Sequence, residues 1–304
     1  MKALMICNPG ARAGRSRKLW PRWREQLEAG GLVTEQAVTK TPADAGRLAA
    51  ETDADIAVAV GGDGTISRVI HGVVASGRDD LGMGVLYAGT SPDFCRFHAI
   101  PTDPERAVAT ILDGCVRAVD VGHIRFGGGR AHFGCGVNIG LGPDVARRAN
   151  RLRPYLGDAI GTGTAAVHSI CTTRRAALTL RIDGQTLPQA DVNNLSVVLN
   201  PHLASGLRLD LPLTADDGKL AVVAVCNQGR AGLLRLLPAF YSGRIVDYKD
   251  VLVRVCEHIE IDGDDHLQVE FDGDPRGRLP AEIRVLPQRL RLICPRLNGT
   301  TCHV

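Results

Sequence analysis

A chain of 304 residues, 44% apolar and 23% charged, is long enough for two ordinary domains, each around a packed core. Its net charge of +3 is too mild to argue for a nucleic-acid partner; basic clusters between Arg12 and Arg24 and between Arg147 and Arg153 serve equally well as solvated helix faces. Nine scattered cysteines with no CxxC pair fit reduced thiols of a cytoplasmic protein, and no apolar run suits a signal peptide or a membrane span, so any membrane contact is expected to be peripheral.

From the N-terminus, ALMIC predicts a strand, SRKLWPRWREQLEAGG a helix stopped by glycines, and LVTEQAV a second strand. TPADAGRLAAET opens a helix with Thr41 as N-cap and Pro42 at the first helical position. There follow the strand DIAVAV, a helix after GGDGT, the strand MGVLYA, the helix DPERAVATILDG and the strand VRAVDVGHI. This alternation predicts an α/β domain over residues 1–122, a Rossmann-like parallel sheet with helices on both faces. Past residue 122 the rhythm changes. Helices are expected over about 143–153 and 156–173, then the extended runs AALTLRIDG, NLSVVLN, KLAVVAVC, DVLVRVCEHIEIDG, LQVEFDGD and RLRLICP, interrupted by the helix GRAGLLRLLPAFYSG. That pattern predicts a β-rich, sandwich-like α+β domain over residues 123–290 with antiparallel pairing.

Ligands of open α/β sheets sit beyond the carboxyl ends of the strands. Three polar or glycine-bearing turns fall at such ends: NPGARAG from Asn8, GGDGT from Gly61, and GTSPDFCR from Gly89. Glycine lets backbone approach a phosphate closely, and a helix N-terminus offers N–H groups and partial positive charge. Asp63 would repel a bare phosphate, so it makes sense holding Mg2+ or a water on that ion, or orienting nearby backbone, while Thr65 donates to phosphate or caps the helix. One such turn is equally well explained by structural caps. Three converging turns point to a nucleotide.

The order of the motifs, NP…G, GGDGT and GT…DF.R, then VDVGHI, DDGKL and VEFDGDPRGRLPAEIRVLP, resembles the diacylglycerol kinase catalytic-domain family, which includes bacterial lipid kinases and sphingosine and ceramide kinases. The resemblance runs from Lys2 to about Pro295; GGDGT is shared with NAD kinases, so DDGKL and the late DGD element carry its specificity. It implies an N-terminal nucleotide domain, a β-rich lipid-substrate domain, and a tail, about 291–304, returning to the first. It also implies ATP- and Mg2+-dependent transfer of a γ-phosphoryl group to a lipid hydroxyl, that of diacylglycerol or a related lipid, at a membrane surface. Exposed strand edges would further let two copies pair as a homodimer.

By this similarity the ATP site is lined by Asn8, Pro9, Gly10, Ala11 and Arg12, by Thr39, by Gly61, Gly62, Asp63, Gly64, Thr65 and Arg68, and by Gly89 and Thr90. A structural Mg2+ is implied in TADDGK, on the Asp217 side chain and the carbonyls of Thr214 and Lys219. The family's proton acceptor is the glutamate of a DGE triplet. Here Asp272, Gly273 and Asp274 stand in its place, so Asp274 is implied as the base, with Asp272 and Asp63 beside it in the catalytic set.

Three positions depart from the family pattern. Asp274 is shorter than glutamate by one C–C bond, about 1.5 Å, and a misplacement of roughly 1 Å can cost on the order of a hundredfold. Arg68 stands where a glutamate is usual, and Ser91 and Pro92 replace a glycine and an asparagine; Pro92 lacks an N–H. The departures leave two alternatives: a binding protein of the same fold with weak or no catalysis, or a kinase for NAD or another soluble alcohol. His71 and His98 lie close to the loops in sequence, and a helix-face or core role is expected of both.

Overall fold

The computed structural model describes residues 1–203 and 207–296. The chain divides into two compact units, Met1–Val121 with the C-terminal segment from Pro287, and Gly122–Leu286.

The first unit alternates β1 (Lys2–Cys7), α1 (Trp20–Ala29), β2 (Val33–Val38), α2 (Asp44–Glu51), β3 (Ile56–Gly61), α3 (Asp63–Ala75), β4 (Gly82–Tyr87), α4 (Asp93–Phe97) and α5 (Pro104–Asp113), and then enters β5 (Val116–Gly127). The strands pair parallel in the order β2-β1-β3-β4. Their apolar runs are almost unbroken because both faces are covered. Ala3, Met5 and Cys7, with Ile56, Val58 and Val60, pack in one core with Trp20, Trp23 and Leu27 of α1 and Val108 and Ile111 of α5. On α2 and α3, Gly46 and Gly72 allow a close crossing: a Cβ on Gly72 would stand 2.1 Å from the Gly46 carbonyl oxygen.

Two helix starts differ from expectation. Residues Ala11–Lys18 form a 3-10 turn, and the α-helix begins at Trp20 with Pro21 in its first turn. Helix α2 begins at Asp44 with Ala43, not Thr41, at the cap position. The Asp44 carboxylate accepts the N–H groups of Lys40 and Thr41, both at 2.8 Å, which holds residues 40–43 in a turn ahead of the helix. Among the described residues, Cys7, Cys95, Cys135, Cys171, Cys226, Cys256 and Cys294 carry free thiols.

The second unit continues with β6 (Gly129–Phe133), β7 (Gly136–Gly140), α6 (Leu141–Leu156), α7 (Asp158–Thr172), β8 (Ala176–Ile182), β9 (Gln185–Thr186), β10 (Ala190–Val198), β11 (His202–Leu203), β12 (Leu207–Arg208), β13 (Leu220–Cys226), α8 (Arg230–Tyr241), β14 (Val251–Cys256), β15 (His258–Asp262), β16 (Gln268–Phe271) and β17 (Asp274–Ile293). The pairings described within it are antiparallel, along β14-β13-β10-β7-β16-β17 and through β8 and β15. The run LAVVAVC in β13 is apolar throughout because its faces serve two cores. Leu220, Val222 and Ala224 join Phe133, Ile139 and Phe271. Val223 and Val225 join Leu233 and Leu236 of α8.

The DGD turn and the late apolar run, expected as separate pieces, are joined by the single long β17. Its last residues lie back in the first unit, where Arg291 and Leu292 run parallel to Gly82 and Met83 of β4. Among the described residues no helix is long and apolar enough to cross a membrane.

Candidate active site

Parallel pairing puts all four carboxyl ends of the first unit at one rim. Cys7 lies beside both Val38 and Val60, and Gly61 beside Tyr87. Strand β1 has β2 on one side and β3 on the other, so the loops leaving β1 and β3 flank the point where the strand order reverses, the place where such sheets bind ligands.

The loops are tied together there by specific contacts. The Asn8 amide donates to Thr65 Oγ1 at 2.9 Å and accepts the Gly10 N–H at 2.9 Å. Arg12, at φ +49°, reaches the Gly89 carbonyl at 3.5 Å. Gly62 and Gly89 touch through backbone: a Cβ on Gly89 would stand 2.6 Å from Gly62 Cα. A Cβ on Gly64 would meet nothing within 4 Å, so its small size leaves room beside the start of α3. Ala11 is buried in the sheet core, and buried Thr39 donates its hydroxyl to the Cys7 carbonyl at 3.3 Å, so these two shape the rim from beneath. Pro9 is half-buried, Thr90 is exposed, and Arg68 is half-buried one turn into α3.

Asp63 is the first residue of α3, where a carboxylate is favoured by the free N–H groups of the helix end. Tyr87 donates its hydroxyl to Asp63 Oδ2 at 3.1 Å, and the Phe94 N–H approaches Oδ1 at 3.4 Å. Burial first, and then the Asp63 charge, push the Tyr87 phenol well above its usual range, so it stays a donor. Nothing in the sequence singled out Tyr87; only the parallel register of β3 and β4 brings it to Asp63. In the loop after β4, Pro92 occupies the cap position of α4, ahead of the helical residues, where a missing N–H costs no helical bond. Asp93 is held by Ser91 Oγ at 2.9 Å and Arg96 Nη1 at 3.1 Å. His98 is a core residue as expected, packed against Phe94 and Phe97, with burial lowering its pKa to about 3. His71, on α3, is half-buried.

In the second unit the DGD triplet forms the turn between β16 and β17, with Asp272 at φ +50° and Gly273 at φ +84°. Asp272 is tied to the backbone of the neighbouring strand connection. Its carboxylate accepts the N–H groups of Gly134, Cys135 and Gly136 at 2.8 to 3.1 Å, which makes it the anchor of the turn. Asp274 is different: its side chain is 40% exposed, with Arg276 Nε at 3.4 Å from Oδ2. Two residues before Asp272, β16 carries a further carboxyl group that the sequence pattern does not single out. Glu270 is 3% exposed, accepts the Asn138 amide at 2.6 Å and the Gly273 N–H, and has its pKa pushed up to about 7, chiefly by burial.

The TADDGK turn folds around Asp217, which accepts the N–H groups of Thr214 at 2.8 Å and Lys219 at 2.9 Å. Each carboxylate oxygen keeps a further lone pair. Together with the turn carbonyls, this all-oxygen donor set suits a hard divalent cation such as Mg2+.

Residues 2–124 match the family described as diacylglycerol kinase catalytic domain, and residues 135–294 match the YegS C-terminal NAD kinase beta sandwich-like domain. A protein named diacylglycerol kinase from Mycobacterium tuberculosis is 29% identical over 246 residues, covering 80% of this chain and 77% of that protein. The crystal structure of a diacylglycerol kinase from Bacillus anthracis superposes with a TM-score of 0.70 at 20% identity, covering 97% of both chains. An NAD kinase from Archaeoglobus fulgidus, in complex with ATP, shares the fold at a TM-score of 0.53 and 13% identity, over 96% of this chain and 92% of that one.

Proposed function

The chain belongs to the diacylglycerol kinase catalytic-domain family and is a kinase of that family; from that premise we propose that it transfers the γ-phosphoryl group of ATP to the hydroxyl of diacylglycerol or a related lipid. The observation that carries the nucleotide half of this reading is the contact between the Gly62 and Gly89 backbones at the switch point of a parallel sheet, beside Asn8, Arg12 and the start of α3. That order of strands supports a Rossmann-like nucleotide-binding sheet, with backbone N–H groups and Arg12 facing phosphate oxygens.

In the reaction the lipid oxygen attacks the γ-phosphorus, the bond from that phosphorus to the β-phosphate oxygen breaks, ADP leaves, and the hydroxyl proton passes to the Asp274 carboxylate. Mg2+, when bound, neutralises charge on the phosphates. Asp63 would hold it or one of its waters, and Asp217, with the carbonyls of Thr214 and Lys219, would hold the structural ion. A peripheral place on the membrane is supported by the tip where α6 meets α7. Tyr155 is 86% and Ile160 66% exposed there, close in sequence to the arginines of α6.

The test incubates the purified protein with Mg2+, γ-labelled ATP and a bacterial lipid extract in mixed micelles, beside Asp63→Ala and Asp274→Ala. Label entering lipid with the native protein, and dropping at least a hundredfold in both variants, is the expected result. Full transfer by either variant removes the role assigned to that residue. Label entering added NAD and no lipid overturns the acceptor.

A further inference from the structure

Strands β10, β7 and β16 lie side by side, and their registers place Ser196 opposite Asn138 and Asn138 opposite Glu270. The flanking residues Leu195, Val197, Val137, Ile139, Val269 and Phe271 all point into the core, so the three polar side chains form a stripe on the opposite face, on which α6 packs. The hydrogen bonds along this stripe run in one direction. Asn194 Nδ2 donates to Ser196 Oγ at 3.0 Å, Ser196 donates to Asn138 Oδ1 at 2.6 Å, and Asn138 Nδ2 donates to Glu270 Oε2 at 2.6 Å. Every donor is aimed toward Glu270, an arrangement that polarises in favour of a carboxylate. At the far end Asn194 Oδ1 accepts the Gly142 N–H in the first turn of α6.

Oxygen Oε1 of Glu270 takes the N–H of Gly273, the middle residue of the turn that ends in Asp274. The Gly273 carbonyl is held from the other side by Asn150 of α6 at 3.3 Å. We propose that Glu270 is a positioning residue for Asp274: as a carboxylate it holds the Gly273 N–H through a charge-assisted bond and so fixes the turn that aims the base, and as a neutral acid it loosens that hold. This rests on the kinase reading of Asp274. A carboxylate accepts at both oxygens, whereas a neutral acid must use one of them as a donor. A proton on Oε2 would face the Asn138 amide N–H and one on Oε1 the Gly273 N–H, so protonation at either oxygen costs a hydrogen bond that the carboxylate accepts.

Charged groups on the surrounding elements are Asp272 and Asp274 on the same turn, Arg276 on β17, and Asp144, Arg147 and Arg148 on α6. Burial, and more weakly the two aspartates, oppose ionisation of Glu270, while the bonds from Asn138 and Gly273 favour it; the balance lies at about 7. The sign therefore separates positioning from plain structure. The folded pKa is raised from 4.5 to about 7, so the contribution of Glu270 to folding is full below about 4.5 and is lost as pH rises through about 7. Transfer should rise over that same interval.

The experiment follows the Gly273 amide by NMR and the transfer rate, both from pH 5 to 9, in the full chain and in Glu270→Gln and Asn138→Ala. In the native protein both readouts should inflect near the same pH. Glu270→Gln should lose both inflections and transfer about tenfold more slowly at pH 8 with KM for ATP unchanged, the size of one hydrogen bond expressed in the transition state. Asn138→Ala, which removes a bond favouring the ionised form, should move both inflections to higher pH. It also keeps the test open should Glu270→Gln fold poorly. Native-like rate and pH profile in Glu270→Gln, with transfer intact, overturn this inference alone. An amide that titrates in a native protein that transfers nothing overturns the kinase reading and, with it, the catalytic purpose assigned to Glu270.

Discussion

Asp272 and Asp274 stand two positions apart in one turn, yet their surroundings differ sharply. Asp272 is surrounded by three N–H donors and Asp274 is partly open to solvent. Asp272→Asn would replace one acceptor oxygen with an NH2 group facing a backbone N–H. A loss of about 2–4 kcal/mol is expected, read as a lower urea midpoint at unchanged slope. Such distinctions were only half legible in the sequence. GGDGT announces itself because glycines beside a carboxylate have few uses at a strand end, and in the structure Gly62 lies in backbone contact with Gly89. A single glutamate alternating with apolar residues, as in QVEF, ordinarily faces water. What turned Glu270 inward was the stacking of Asn138 and Ser196 in register beneath α6, a pairing across residues far apart in the chain.

Among the elements, the pair α2 and α3 depends on the absence of two side chains. Gly72→Ala would drive a methyl group into the Gly46 carbonyl, and backbone cannot swing aside as a flexible side chain can. The expected cost is about 2 kcal/mol or more, checked as a lower melting temperature with ATP affinity retained in the molecules still folded. The strands of the first unit and the two helices after β7 were legible from periodicity, since their runs are long and their buried faces continuous. Their ends were less so. At α2 the signals Thr41 and Pro42 are sound cap residues, but Asp44 captures the preceding amides and the helix starts later. A side chain competing for backbone donors is a local event that periodicity does not record.

Taken whole, the chain carries a modest +3, and its arginines are distributed unevenly. Helix α6 alone carries Arg147, Arg148, Arg151 and Arg153, leading to exposed Tyr155. Binding to vesicles rich in anionic lipid is expected, weakening as salt rises from 0.1 M to 1 M because the screening length falls from about 10 Å to about 3 Å. Tyr155→Ser combined with Ile160→Ser should cut the bound fraction in co-sedimentation and leave phosphoryl transfer to a short-chain, soluble lipid intact. Equal binding by the double variant would place the docking surface elsewhere. The change of rhythm near residue 122 could be seen in the sequence because strand patterning replaces strict alternation there. The route of β17, crossing from one unit to the other within a single strand, could not, since an uninterrupted extended run carries no mark of where its partners change.

That route bears on how the protein is made. The sheet of the first unit is complete only when Arg291 and Leu292 settle beside β4, with Gln288 donating to Asp120 and Cys294 to the Cys115 carbonyl. A ribosome adding roughly 5–20 residues per second needs on the order of ten to thirty seconds to deliver the intervening unit. Throughout that interval the nascent N-terminal half carries an unpaired edge on β4, so it is a natural client for a holding chaperone, and a stalled or truncated translation product ending before Pro287 would be marked for proteolysis by that open edge.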